Sequence, residues 1–335
     1  MTKPSAKIIA AIARRASSTA GKNYPSIFFG DVHISRPRFP ALLSQAMPGL
    51  IKASGATEFL FELTPELKIP DVEKHFREDG LKSYKLMCER SEIVYNALTL
   101  SNEKYGTKFD PDELTFDNVT KCVAGLTLSD CAEAVSKALP KLDKIMGLSV
   151  AGILMSIGDK MALATLSKKA VEVLGADHCH HVDCKTEKLF NTEESIFSRN
   201  VHIVTEGILK IPNAIGCFGI GHFEGLINIL TGIHSAQTNP TRLPAEAVEY
   251  AHKLPMADPR KLIFIFPYLG NPLDENDKGL REEMSQYRNE LFPIYTFDAT
   301  KETAESFPKR VMKIAEKHRE KFQALEDYRI SDSRI

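Results

Sequence analysis

Two short stretches place residues able to do chemistry where buried strands should end. "SIFFGDVHIS" (26–35) is an apolar run that stops at Asp31 and His33. "NAIGCFGIGHFEG" (213–225) stops at Gly219-Ile-Gly-His222. A third run, "TEFLFEL" (57–63), reaches Glu62. In a parallel sheet the carboxyl ends of all strands share one edge, which is where open α/β folds build their sites. Residues 31, 33, 62 and 222 are far apart in sequence, and this geometry would gather them. Two imidazoles with one or two carboxylates can hold a divalent metal such as Mn, Zn, Fe or Co with positions open to water or substrate. Without metal, a His oriented by an acid can serve as general base on water. The glycines at 30, 219, 221 and 225 suit tight turns and close backbone approach. The first backbone N–H groups of a helix over "FEGLINIL" could stabilise an anion or a developing oxyanion.

The elements that must position these residues follow a recognisable rhythm. Short apolar runs read as strands at 26–29, 57–63, "NAIGCFGIGH" (213–222, strand then turn), "KLIFIFPYL" (261–269) and "PIYTFDA" (293–299), with a polar candidate at "DHCHHVDC" (177–184). Helical patterns fall at 38–54, 192–210, 223–232, 278–291 and 302–326. Alternating strands and helices imply an α/β fold with a mainly parallel sheet covered by helices on both faces. From about 70 to 170 the strand signal fades and helical patterns joined by Pro- or Gly-containing turns take over. This is a large helical insertion in a single α/β domain spanning 1–335, expected as a subdomain or cap over the pocket and the setter of substrate choice. No composition break marks a boundary.

Bulk properties narrow the function classes. The chain has 335 residues and a formal net charge of −1, so no basic excess argues for nucleic acid. Six cysteines without a C-x-x-C pair read as reduced thiols. The first residues carry Lys3, Lys7, Arg14, Arg15 and Lys22 and no acid, a pattern read as an amphipathic helix, with a transit peptide as the other reading. "IMGLSVAGILMSIG" (145–158) falls short of the roughly 20 residues of a spanning helix. The expectation is a cytoplasmic protein without a membrane span, acting on a small molecule or peptide, of undetermined oligomeric state.

The two G-x-x-H motifs, "GDVH" (30–33) and "GIGH" (219–222), flank the strand-end Glu of "FLFEL", and "SRN" (198–200) precedes the second. In order and strand context they resemble the superfamily of erythromycin esterases, the haem-uptake protein ChaN and the TraB/Tiki proteins. The resemblance covers roughly 10–70 and 170–300. It implies that His33, Glu62 and His222 are core site residues, that Asp31 replaces an acid common there, and that Arg199 is an anchor facing the pocket. It leaves open a hydrolase of ester or amide bonds, a non-catalytic metal- or haem-binding protein, and an interaction protein on the same scaffold. The esterase branch usually has Glu-x-x-His at the first motif, where this chain has Asp-x-His.

Other motifs are weaker. "GDVH" is similar to the first motif of calcineurin-like metallophosphatases, whose partner motifs do not occur. "GIGHFEG" has Glu224 where a dinucleotide fingerprint needs Gly. "GLSVA" (147–151) lacks the final Gly and the preceding strand of a nucleophile elbow. In "DHCHHVDC", strand alternation would put His178, His180 and Cys184 on one side and Cys179, His181 and Asp183 on the other. That cluster is zinc-like in composition, but a polar edge strand explains it without metal. His75, His202, His234, His252 and His318 read as ordinary helix or loop histidines.

Overall fold

The computed structural model describes residues 25–31, 39–62, 68–184, 193–269, 282, 284 and 286–332. His33 and the 1–24 leader lie outside them. Six strands form one sheet: β1 (Ser26–Asp31), β2 (Glu58–Phe61), β3 (Cys179–His181), β4 (Ala214–Gly219), β5 (Leu262–Tyr268) and β6 (Ile294–Asp298). Their order is β3-β2-β4-β1-β5-β6, and every pairing is parallel. The expected α/β architecture is therefore present.

Side-chain alternation divides the sheet between two cores. Ile27, Phe29, Phe59, Phe61, Ile215, Ile263 and Ile265 face one layer. This layer holds α1 (Phe39–Ser54), the C-terminal half of α6 (Lys144–Leu174) and α10 (Ser306–Asp332). In α1, Phe39, Leu43, Met47 and Leu50 form the buried stripe expected of a core-facing helix. Phe28, Leu60, Phe218 and Phe264 face the other layer, built from the continuation of α7 (Glu193–His202) through Ile203, Val204 and Ile208, with α8 (Phe223–Thr238) and α9 (Ala245–Lys253). The chain leaves β1 into α1 on one face and leaves the adjacent β4 into α8 on the other. Neighbouring strands that send their chains to opposite faces leave a crevice at their carboxyl ends.

The insertion comprises α2 (Val72–Cys88), α3 (Ser91–Tyr105), α4 (Phe116–Ala124), α5 (Leu128–Ala138) and α6. It has a core of its own, with Ile93, Val94, Leu98, Val123, Val135, Leu154 and Ile157 at its centre. Thr127 and Asp130 form a capping box at the start of α5. The same Asp130 takes Lys104 at 2.9 Å and the Tyr105 hydroxyl at 2.7 Å, tying α3 to α5. By length and composition α6 is apolar enough to cross a bilayer. A core helix passes the same test, and Ala151, Leu154, Met155, Ile157 and Gly158 are buried here.

Several elements differ from expectation. The 177–184 stretch is only a three-residue strand, preceded by a 3-10 turn at Ala176–His178. The 192–210 helix changes into a π-helical segment at Ile203–Ile208. The 278–291 helix lies largely outside the described residues. It has ended by Tyr287, and the Asn289 carboxamide oxygen then accepts from the Leu291 and Phe292 N–H groups at 3.1 and 2.9 Å, a local turn that competes with helix.

Candidate active site

The crevice holds a closed polar network. Glu62 follows directly on β2. Its Oε1 accepts from Arg199 Nη2 at 2.8 Å and lies 3.0 Å from His222 Nε2. Its Oε2 accepts the Gly219 N–H at 2.6 Å, so the end of β4 is pinned to the end of β2. Arg199 reaches it from α7 and also grips Asp183: Nε donates to both carboxylate oxygens at 3.0 Å and Nη2 to Oδ2 at 2.7 Å. This fork geometry is one that Lys cannot reproduce. His222 Nδ1 lies 2.5 Å from Asn200 Oδ1. Both ring nitrogens thus face oxygens.

The backbone explains why these side chains meet. Arg199 and Asn200 sit on the last turn of α7, immediately before the π-helical segment, a distortion often found at functional sites. His222 closes the short Ile220–His222 turn that leads from β4 into α8. A Cβ on Gly225 would lie 2.1 Å from Asn200 Nδ2, so only glycine in the first turn of α8 lets Asn200 approach. Gly30 is similar: its Cβ would meet Ile220 Cδ1 at 2.5 Å. Gly221 has open space where a Cβ would stand.

Electrostatics follow from this packing. Burial opposes ionisation of Glu62, but the His222, Gly219 and Arg199 donors outweigh it and hold its carboxyl at about 2. Glu62 is thus a fixed anion, too weak a base to take a proton from water near neutrality. Cys217 lies on the strand beside it. Burial first, then the charges of Asp31 and Glu62, push its thiol well above the ordinary value. It stays protonated and is no nucleophile.

Of the residues singled out from sequence, Glu62, Arg199, His222 and Gly219 come together. Asp31 is buried at the end of β1, in register with Gly219. It continues the alternation of Ile27 and Phe29, toward the α1 and α10 layer, whereas Glu62 engages the α7 and α8 layer. Asp183 and Asn200 were missed as site residues. Asp183 was grouped with the zinc-like cluster, and Asn200 was visible only as the second half of "SRN".

That zinc-like cluster divides among other tasks. His178 Nδ1 and His180 Nε2 lie 3.0 and 2.7 Å from the two oxygens of Glu58. Asp183 turns to Arg199. Burial pushes the Cys179 thiol up to about 12, and Cys179 packs in the core under the sheet. Among the described residues no group of three or more His, Cys, Asp or Glu side chains is arranged to hold a metal. Glu62 and His222 do not fit that role as they stand: both carboxylate oxygens accept N–H donors, and Nε2 faces the carboxylate rather than a shared centre.

Three ordinary histidines behave as such. His75 is 3.4 Å from Asp79, and His234 Nδ1 is 2.8 Å from the Ala257 carbonyl. His318 is enclosed between Tyr295 and Pro259. Ser149 of "GLSVA" lies within α6, its hydroxyl donating to the Ile145 carbonyl at 3.1 Å.

The fold and crevice define an α/β protein with a polar strand-edge site. Comparison with family models, with curated proteins and with solved structures finds no match to the chain.

Proposed function

We propose that the protein is a hydrolase of ester or amide bonds in a small molecule or peptide, working at the crevice between β2, β4 and β1 without a metal. The observation that carries this reading is the 3.0 Å contact between Glu62 and His222, with Arg199 on the same carboxylate oxygen. Three residues from separate parts of the chain meet at the edge where α/β folds place chemistry.

The roles are divided by protonation and occupancy. Glu62 is a positioning anion. Arg199 and His222 are held beside it as donors, and the start of α8 adds backbone N–H groups to the same region. With both His222 ring nitrogens and the Arg199 fork already engaged, the α8 backbone N–H groups are the donors that would favour negative charge developing on a carbonyl oxygen. Neither Glu62 nor His222 has a basic atom to spare, so the general base falls to His33, two residues along the chain from Asp31. Water oxygen adds to the carbonyl carbon as His33 takes its proton. The imidazolium returns that proton to the departing alkoxide or amine as the bond to carbon breaks. The insertion, as a cap, would select the substrate.

The test is turnover of a panel of chromogenic esters and anilides by the full chain and by His33→Ala. Hydrolysis by the wild type that falls at least about a hundredfold in His33→Ala, with thermal stability retained, supports the reading. No turnover by folded wild type, or an unchanged rate in His33→Ala, overturns it. Haem binding, the competing outcome, would appear as a Soret band on titration with haemin.

A further inference from the structure

A cleft of about 500 Å³ opens in the insertion. The first turns of α3, the connection 106–115 and the end of α5 wall it. None of its lining residues belongs to the Glu62–His222 site. Its volume is that of a small-molecule pocket.

The cleft follows from how α3 packs. Ile93, Val94, Ala97 and Leu98 fill the core of the insertion, which leaves Glu92, Tyr95 and Asn96 to line the cleft. Side chains that bind backbone fix its walls. The Asn102 carboxamide accepts the Phe109 N–H at 2.9 Å and donates to the Phe109 carbonyl at 2.7 Å. The Tyr84 hydroxyl donates to the Leu114 carbonyl at 2.5 Å. Asn96 Nδ2 donates to the Ala134 carbonyl at 3.4 Å, joining α3 to α5. A cleft held in this way loses little freedom when it takes up a ligand.

Its chemistry selects the ligand. Tyr95 is 44% exposed and makes an apolar lining with Pro111 and Leu114. The charged lining residues are Glu92, Asp112 and Lys137. Lys137 is already engaged, 3.1 Å from Glu133, which also takes Lys104 at 2.7 Å, while Lys104 reaches Asp130 at 2.9 Å. That network of two cations and two carboxylates balances. Among the described residues no cation pairs with Glu92 or Asp112. The exposed charges nearby, Glu89, Asp110 and Glu113 against Arg90, Lys108 and Lys141, cancel. The excess negative charge of the cleft therefore resides on Glu92 and Asp112, beside a tyrosine ring.

We infer that this cleft binds a small organic cation, a protonated amine or guanidinium on an apolar stem, with its charge at Glu92 and Asp112 and its stem against Tyr95, Pro111 and Leu114. Carboxylates give such a head group charge-assisted hydrogen bonds, and the face of a tyrosine attracts a cation. An anion would meet two unpaired carboxylates and a lysine already engaged. A neutral ligand would cover the carboxylates without replacing their water. A basic peptide is the rival occupant.

The experiment is calorimetric titration of the full chain with phenethylamine and agmatine. Phenethyl alcohol is the neutral counterpart. Glu92→Gln/Asp112→Asn and Tyr95→Leu are compared with wild type, and thermal unfolding confirms that each variant, altered only at exposed positions, is folded. The expected result is amine binding with Kd below about 1 mM. It weakens at least about tenfold in the carboxamide variant and for the alcohol, and about threefold in Tyr95→Leu. Folded wild type that binds neither amine overturns the inference. So does an alcohol that binds as well as its amine, or a carboxamide variant that binds as well as wild type. A synthetic peptide of residues 1–24, with five basic residues and no acid, that binds where both amines fail also overturns it, in favour of a basic segment.

Discussion

His222 Nδ1 sits 2.5 Å from Asn200 Oδ1 because Gly225, one turn into α8, has no side chain to keep Asn200 away. Gly225→Ala brings a Cβ to 2.1 Å from Asn200 Nδ2. Overpacking of this kind costs about 1–3 kcal/mol. Asn200→Ala relieves the clash, so the double variant recovers part of that loss in urea unfolding. Strict additivity of the two substitutions would show that they do not share this contact. Imidazole 15N shifts of His222 should move in Asn200→Ala and in Gly225→Ala alike.

Glu62 makes stability depend on acid pH. Its carboxyl is lowered from 4.5 to about 2. An acid with a depressed folded value stabilises above its unfolded value and loses that contribution as pH falls. The window is therefore from about pH 4.5 down to about pH 2, and the contribution above it is on the order of 3 kcal/mol. Unfolding measured across that window should show wild type losing stability more steeply than Glu62→Gln. Parallel curves would contradict the assignment.

Arg199 joins two carboxylates in the crevice. Arg199→Ala leaves Asp183 and Glu62 buried without their cation and should cost about 3–5 kcal/mol. Arg199→Lys keeps charge but loses the fork, and should fall between wild type and Ala in denaturant midpoint. A Lys variant as stable as wild type would show that charge alone suffices.

His318 produces a second pH dependence, away from the crevice. Burial lowers its imidazole from 6.5 to about 4, while Tyr295 and the Pro259 carbonyl hold the ring at 3.0 and 2.8 Å. The folded state favours the neutral ring. Its contribution is complete above about pH 6.5 and disappears as pH falls toward 4, on the order of 3 kcal/mol. His318→Gln should flatten the stability profile between those values, and an unchanged slope would count against it.

Metal content discriminates between the hydrolytic routes. Glu62 and His222 use their donor atoms on each other and on N–H groups, so purified protein should carry no stoichiometric Mn, Zn, Fe or Co by plasma mass spectrometry. Stoichiometric metal that disappears in His33→Ala/His222→Ala would instead place a metal at the strand ends.

The strand ends were legible because buried strands are short apolar runs, and a polar residue closing one is conspicuous. That is how Glu62 and His222 could be paired across the sequence. Asp183 and Asn200 were hidden for a physical reason. Their roles depend on where α7 lies across β2 and β3, which no local pattern encodes. Glu58 was hidden likewise, since its two imidazole partners, His178 on a 3-10 turn and His180 on β3, stand 120 and 122 residues away. The zinc-like look of 177–184 arose from composition alone: hydrogen bonds to separate partners use the same residue types as a metal site. The π-helical segment had no signal either, because its residues keep a helical pattern while the backbone shifts register.

Helices α2 and α6 run antiparallel, Glu73 approaching Lys168 at 3.9 Å and Ser83 approaching Ser156 at 3.3 Å, and this pairing bears on how the chain folds. Strands β2 and β3 must find each other although Glu58 and His178 stand 120 residues apart. If the insertion condenses first on its own core, the start of α2 and the end of α6 are already side by side, and the loop left to close is short. Replacing a loop of that length by one of roughly fifteen residues lowers the closure entropy by about 2 kcal/mol. The insertion then acts as a clasp that delivers β3 to the sheet, so substitutions in its core should slow refolding of the whole chain, not merely loosen one lobe.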